Sequence, residues 1–366
     1  MSFASPTMTS NSGPAPSGAA PTSPPAAASQ PAAGASSTTT AVVIAPGFVA
    51  PTIDIVRSLV GAVCVVAFIC MRPPHPASIQ WAEMLLLLNV LVVVPLTVGI
   101  FLKSVTPATA RYWGLIEQLH LSAGCLLIGA YLMQPNLAVA FLALPWFMMT
   151  CLYGLSGIIA IRERCTRCLW GLTINVGFVY LAVGGLWAVI ERAGRHPWGF
   201  ESNIEILTAV HFHYAGFVLL LAAGWAAKEL HESKLAKAAC ITSMIGVPLT
   251  AAGILATKLG YGMTLEMIAA VVMALAGALV AWVHLILAGR KQYTPLVRGL
   301  WAVAAGSLIA AMVLAALYGL RLIFPLDRLT LPLMWSIHGT LNAVGFGLCV
   351  ICAWRSRFRR PRPAAA

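Results

Sequence analysis

Ten apolar runs of 18 to 25 residues follow one another between residues 54 and 353, and they dictate the solvent this chain needs. A bilayer core about 30 Å thick takes roughly 20 apolar residues per helix at 1.5 Å rise per residue. The runs are taken as 54–71, 80–102, 112–134, 137–161, 168–190, 204–226, 237–257, 265–288, 296–320 and 332–353. Breakers separate them: Pro73, Pro74 and Pro76, then Pro135, Pro197, Pro325 and Pro332. With 60% hydrophobic and 9% charged residues in 366, too little charge exists to clothe a water-soluble globule. The runs are apolar all round rather than alternating, which excludes a β-barrel. The expected fold is therefore all-α, a polytopic bundle in which each helix satisfies its own backbone in lipid.

Charge gives the bundle a direction. Lys103, Arg111, Arg162, Arg164, Arg167, Lys228, Lys234, Lys237, Arg290, Lys291, Arg298 and five tail arginines, sixteen in all, follow the even-numbered runs. The opposite loops hold six: Arg72, Arg192, Arg195, Lys258, Arg321 and Arg328. The positive-inside rule then puts both termini in the cytoplasm. The same distribution accounts for the net charge of +12 without a nucleic-acid partner. Residues 1–53 are rich in Ala, Pro, Ser and Thr and lack the basic start of a secretory signal, so they read as a disordered tail, and 354–366 as a basic cytoplasmic tail.

Ionisable groups within a span are expensive, and each is a candidate for function. Run six reads IEILTAVHFHYAGFVLLL, with Glu205, Thr208, His211, His213 and Tyr214 close together. Thr208, His211 and Tyr214 share a helix face, whereas His213 points about 200° away from His211. Run ten carries Trp335, His338 and Asn342, the last two at i, i+4, and run two carries Glu83 and Asn89. Runs two, six and ten all begin at the same face, so Glu83, His211, His213 and His338 share one outer layer. They are expected to line one outward-opening pocket. Glu83 and Glu205 are the candidate acids and His211, His213 and His338 the candidate bases, with Asn89, Thr208, Tyr214, Trp335 and Asn342 as substrate contacts. Glu117 and His120 in run three and Asn175 in run five lie nearer the cytoplasm. Glu191, Glu201 and Glu266 are expected to snorkel into water, His284 to reach the interface, and His75, His196 and His231 to sit in loops.

No P-loop, GxGxxG, HExxH or Gly-x-Ser-x-Gly signature occurs. Nine cysteines, mostly inside apolar runs, read as buried free thiols. Two Cys-x-x-Cys pairs, Cys165 with Cys168 and Cys349 with Cys352, have zinc-like spacing, but the second lies in an apolar helix without a turn, so no metal site is expected.

The stretches LTAVHFHYAGF, HGTLNAVGF and WAEMLLLLNVLVVVPL resemble the YndJ-like family of bacterial membrane proteins over about residues 75 to 353. The resemblance implies a multi-spanning protein of the bacterial inner membrane and no particular chemistry. HFHY is also similar to the helix of haem-copper oxidases in which two histidines hold haems from opposite faces. The adjacent His-His pair and the His-Pro-Glu segment of those oxidases do not occur here. The expected function is a membrane-embedded enzyme doing acid/base chemistry (cyclisation, isomerisation or epoxide opening) on a lipophilic small molecule, without a cofactor. The alternatives are a proton-coupled secondary transporter and a haem- or metal-binding protein. No repeat between the two halves of the chain is visible, which speaks mildly against transport.

Overall fold

The structure, a computed structural model, describes residues 51–101, 107–164, 168–321, 323–325 and 328–359. Most of the N-terminal segment, the end of the basic tail and Cys165 lie outside the described residues. Among the described residues, ten helices are long and apolar enough to cross a membrane: α1 (Pro51–Met71), α2 (Ile79–Ile100), α3 (Pro107–Leu132), α4 (Leu137–Arg164), α5 (Leu169–Arg192), α6 (Ser202–Glu229), α7 (Lys234–Lys258), α8 (Thr264–Gly289), α9 (Pro295–Gly319) and α10 (Leu331–Arg359). The described residues contain no strand.

Helix ends follow local chemistry. Ser233, Thr294 and Thr330 cap α7, α9 and α10 by accepting backbone N–H bonds from Ala236, Val297 and Leu333. Proline follows the cap in α9 and α10, where its missing N–H is harmless. The α7–α8 turn uses Gly260 and Gly262 at φ of +84° and +82°, a region an L side chain rarely adopts.

From α3 onward, consecutive helices pack against each other, and α2, α6 and α10 meet one another in the interior. These three are joined by side chains that reach across to backbone. Tyr214 donates to Leu85 O at 2.8 Å, Asn89 to His213 O at 3.3 Å, and Arg355 to Leu96 O at 2.9 Å. The Trp81 indole donates to Thr340 Oγ1 at 2.9 Å. Small residues permit close crossings elsewhere. A Cβ on Gly224 of α6 would come within 2.8 Å of Trp170 O on α5.

The same three helices are irregular. Wider π turns occupy Asn89–Val93 in α2, Phe212–Val218 in α6, and Met334–His338 and Leu341–Leu348 in α10. Such turns interrupt the i→i−4 ladder and are frequent where a helix carries function.

Three expectations need correction. The tenth helix runs to Arg359, past the expected end at 353, because Trp354 is fully buried and Arg355 binds Leu96 O and the Asp54 carboxylate. Glu191 does not snorkel: it is fully buried, in a bidentate pair with its neighbour Arg192. His284 does not reach the interface either. It is fully buried, donating from Nδ1 to Val280 O and accepting from the Trp354 indole at 3.1 Å.

Candidate functional site

At the end of the bundle opposite Asp54 and Arg359, a cavity of about 540 Å³ opens between α6, α7, α8, α9 and α10, with α2 behind it. Its mouth is set by helix ends: Glu201 before α6, Lys258 closing α7, Glu266 in the first turn of α8, and Arg321 after α9. Arg321 donates to Glu266 at 2.8 Å and stacks over the Tyr318 ring at 4.3 Å. His211 lies about 14 Å along α6 from its start and His338 about 11 Å along α10, by the helical rise. Beyond them the walls are apolar: Met273, Leu308, Met312, Leu219 and Phe346. Leu219 and Phe346 lie about 26 and 23 Å along their helices. The cavity therefore runs from a charged mouth, through a polar layer, to an apolar floor near the middle of the bundle.

Of the ten residues singled out in the sequence, six line this space: Thr208, His211, Tyr214, Trp335, His338 and Asn342. The other four face elsewhere. Glu83 is 2% exposed and held between two guanidiniums, with Arg72 at 2.8 Å and Arg192 at 3.6 Å. Arg192 also grips Glu191, which accepts from Ser202 at 3.1 Å, and lies 4.3 Å over the Tyr131 ring. Two arginines and two glutamates thus make a neutral, fully engaged cluster joining α2, α3, α5 and α6 to the segment after α1. Glu205 is buried against His196 at 3.2 Å, with Oε2 unpartnered. Asn89 is used to hold the π turn of α6 through His213 O.

His213 is the clearest contrast with His211. Its Nδ1 donates to Ala209 O at 2.7 Å, so Nε2 is the acceptor, and the Trp146 indole fills it at 3.1 Å. No lone pair is left for a haem iron. The opposite orientations expected from the 3.6-residue period hold despite the π turn. His120 is closed in the same manner, donating to Val90 O at 2.7 Å and receiving the Tyr153 hydroxyl at 3.2 Å. His338 donates from Nδ1 to Ala311 O at 2.9 Å and receives Asn342 at 3.0 Å. Neither ring nitrogen of His211 has a hydrogen-bond partner, and its Nε2 is buried.

The sequence profile of the YndJ-like family matches residues 84–346. The chain belongs to the YndJ-like family. A curated relative, the uncharacterized membrane protein YndJ of Bacillus subtilis (strain 168), is 28% identical over 313 residues, which cover 83% of this chain and 54% of the relative. The chain thus spans about half the length of that protein. No solved structure matches. The YndJ-like match contains all of the cavity's polar layer and its floor, while Glu83 and Arg355 fall just outside it.

Lys258, Glu266 and Arg321 at the mouth of this YndJ-like bundle, and the methionines of the floor, carry no signal as candidates when taken singly. Three charges ending α7, starting α8 and following α9 on one side were the available clue. Among the described residues no three His, Cys, Asp or Glu converge where they could hold a metal ion. Cys168, Cys349 and Cys352 are free thiols, and Cys165 lies outside the described residues. At the far end, Tyr293 donates to Glu229 at 2.7 Å. Burial, and next that bond to Glu229, push its phenol above the usual tyrosine value, so the proton stays on Tyr293.

Proposed function

We propose that the cavity binds a lipophilic small molecule and that His211 moves a proton on it, making the protein a membrane-embedded acid/base enzyme of the bacterial inner membrane. The distribution of sixteen basic residues against six supports cytoplasmic termini, and hence a cavity mouth on the outer face. The observation that carries the reading is the unbonded His211 imidazole in a cavity whose other intramembrane histidine, His338, is already hydrogen-bonded. A buried polar nitrogen without a partner costs about 1–3 kcal/mol, and the other intramembrane histidines avoid that cost. A neutral imidazole held in low dielectric beside substrate is a general base.

Among cyclisation, isomerisation and epoxide opening, the last requires a separate acid at the leaving oxygen. Glu83 and Glu205 stand outside the cavity, and the carboxylates that do line it, Glu201 and Glu266, are at its mouth. Isomerisation fits best: one imidazole removes a proton from one atom and returns it to another.

The test is mass spectrometry of lipid and metabolite extracts from a deletion strain complemented with wild type or His211→Gln. The deletion and His211→Gln strains should accumulate one species with the elemental composition of the missing product. Full restoration of the wild-type profile by His211→Gln would overturn the role of His211. Proton-coupled transport is a second reading, favoured by a cavity that opens on one side and ends near the middle of helices with π turns. It predicts the same compound on both sides of the comparison, redistributed across the membrane.

A further inference from the structure

The polar layer around His211 is lopsided in its hydrogen bonding. Its donors are engaged within the protein. Thr208 Oγ1 donates to Ile204 O at 2.7 Å, Thr250 Oγ1 to Gly246 O at 2.9 Å, and Tyr214 to Leu85 O at 2.8 Å. The Trp335 indole donates to Pro76 O at 2.9 Å. Ala311 O only accepts, so the proton of His338 is on Nδ1 and its Nε2 must receive Asn342. The second amide hydrogen of Asn342 goes to His338 O at 2.9 Å. What remains toward the cavity is acceptor capacity: hydroxyl lone pairs on Thr208 and Thr250 and the Asn342 carbonyl. His211 alone is uncommitted, donor or acceptor according to its tautomer.

We infer that the ligand is a lipophilic alcohol, whose hydroxyl lies in the His211 layer and brings the hydrogen that this layer lacks. The inference rests on the binding role proposed above for the cavity. A ketone or an ether would meet one donor at most, in His211, and would leave the acceptors around it unsatisfied. An ammonium ion would supply donors, but no carboxylate lies in the layer to compensate its burial; Glu201 and Glu266 are at the mouth. A hydroxyl both gives and accepts one bond at the cost of burying no charge. Apolar walls beyond it, at Leu219, Phe346 and Met312, and on the mouth side of it, at Ile204, Leu207 and Leu331, place the hydroxyl part-way along a hydrocarbon body.

The experiment compares radiolabelled pentadecan-8-ol with its methyl ether, 8-methoxypentadecane, binding to the purified full chain in lipid nanodiscs, with empty nanodiscs subtracted. The ether carries a methyl group in place of the hydrogen that the alcohol can donate at mid-chain. The alcohol should bind about tenfold more tightly, which corresponds to one buried hydrogen bond. In His211→Leu and in Asn342→Leu the preference should fall to within about twofold. Variants that elute as the wild type does on size exclusion are compared, and either one suffices. Equal binding, tighter binding of the ether, no saturable binding of either probe, or a preference unchanged in both variants would overturn the inference. A preserved preference for the alcohol with normal extracts from the His211→Gln strain would instead uphold the ligand class and defeat the enzyme.

Discussion

His211 and His213 are two residues apart on α6, and the regions they face treat polar groups in opposite ways. On the side of α1 to α5, Arg72, Arg192, Glu83, Glu191 and both histidines have found partners within the protein, although Asn89, Glu117 and Tyr131 each keep one buried oxygen without a hydrogen bond. Glu83, Arg72, Arg192 and Glu191 neutralise each other, His213 is filled by Trp146 and Ala209, and His120 by Tyr153 and Val90. On the side of α7 to α10, a cavity of about 540 Å³ keeps one imidazole unmatched. The difference teaches that the depth of a charged or aromatic-polar side chain in a membrane protein says little about its role. Whether its bonding capacity is already used says more.

Substitutions that empty one region or the other test the contrast, and the largest effect should come from the matched side. Arg192→Met leaves Glu191 and Glu83 buried with only Arg72 nearby, and should destabilise the bundle by about 3–5 kcal/mol. The readout is the midpoint of thermal unfolding in detergent. A midpoint within a degree or two of wild type would mean that the cluster is not what ties these helices together. His213→Leu orphans the Trp146 indole and should cost about 1–3 kcal/mol by the same measurement. His211→Leu, two positions earlier, removes a nitrogen that has no partner and should change stability by less than about 1 kcal/mol, in either direction. If His211→Leu proved more damaging than His213→Leu, the two regions would have been assigned the wrong way round.

Much of this architecture is written in hydropathy. The ten runs appear as ten helices within a few residues, because a span is a property of one segment and lipid imposes its length locally. Relations between segments are written far less plainly. The depths of Glu83, His213 and His338 follow from counting residues, but which neighbour each faces depends on how helices are arranged around one another. That is why Glu83 proved to belong to an arginine cluster and not to the cavity. Adjacent opposite charges, Glu191 and Arg192, look like a solvated helix end until α2 and α3 close over them. Below its mouth, the cavity's far wall from α7 to α9 is built of Ala, Met, Leu and Ile with Thr250, and the apolar ones are in sequence indistinguishable from lipid-facing residues. The π turns have no signature in runs such as NVLVV, since an apolar run permits either hydrogen-bonding pattern.

The π turn of α6 begins one residue after His211. A wider turn takes up an additional residue per revolution, so the two halves of the helix run at different rotational phases about a common axis. The half holding His211 packs on α5 and α2 and lines the cavity, and the half beyond Leu219 packs on α5 and α7. Were the wide turn to migrate by a few residues toward Ser202, the His211 ring would swing around the axis while both ends of the helix stayed anchored. α6 thus contains the means to turn its one uncommitted imidazole toward or away from a bound molecule with no rigid-body motion of the bundle.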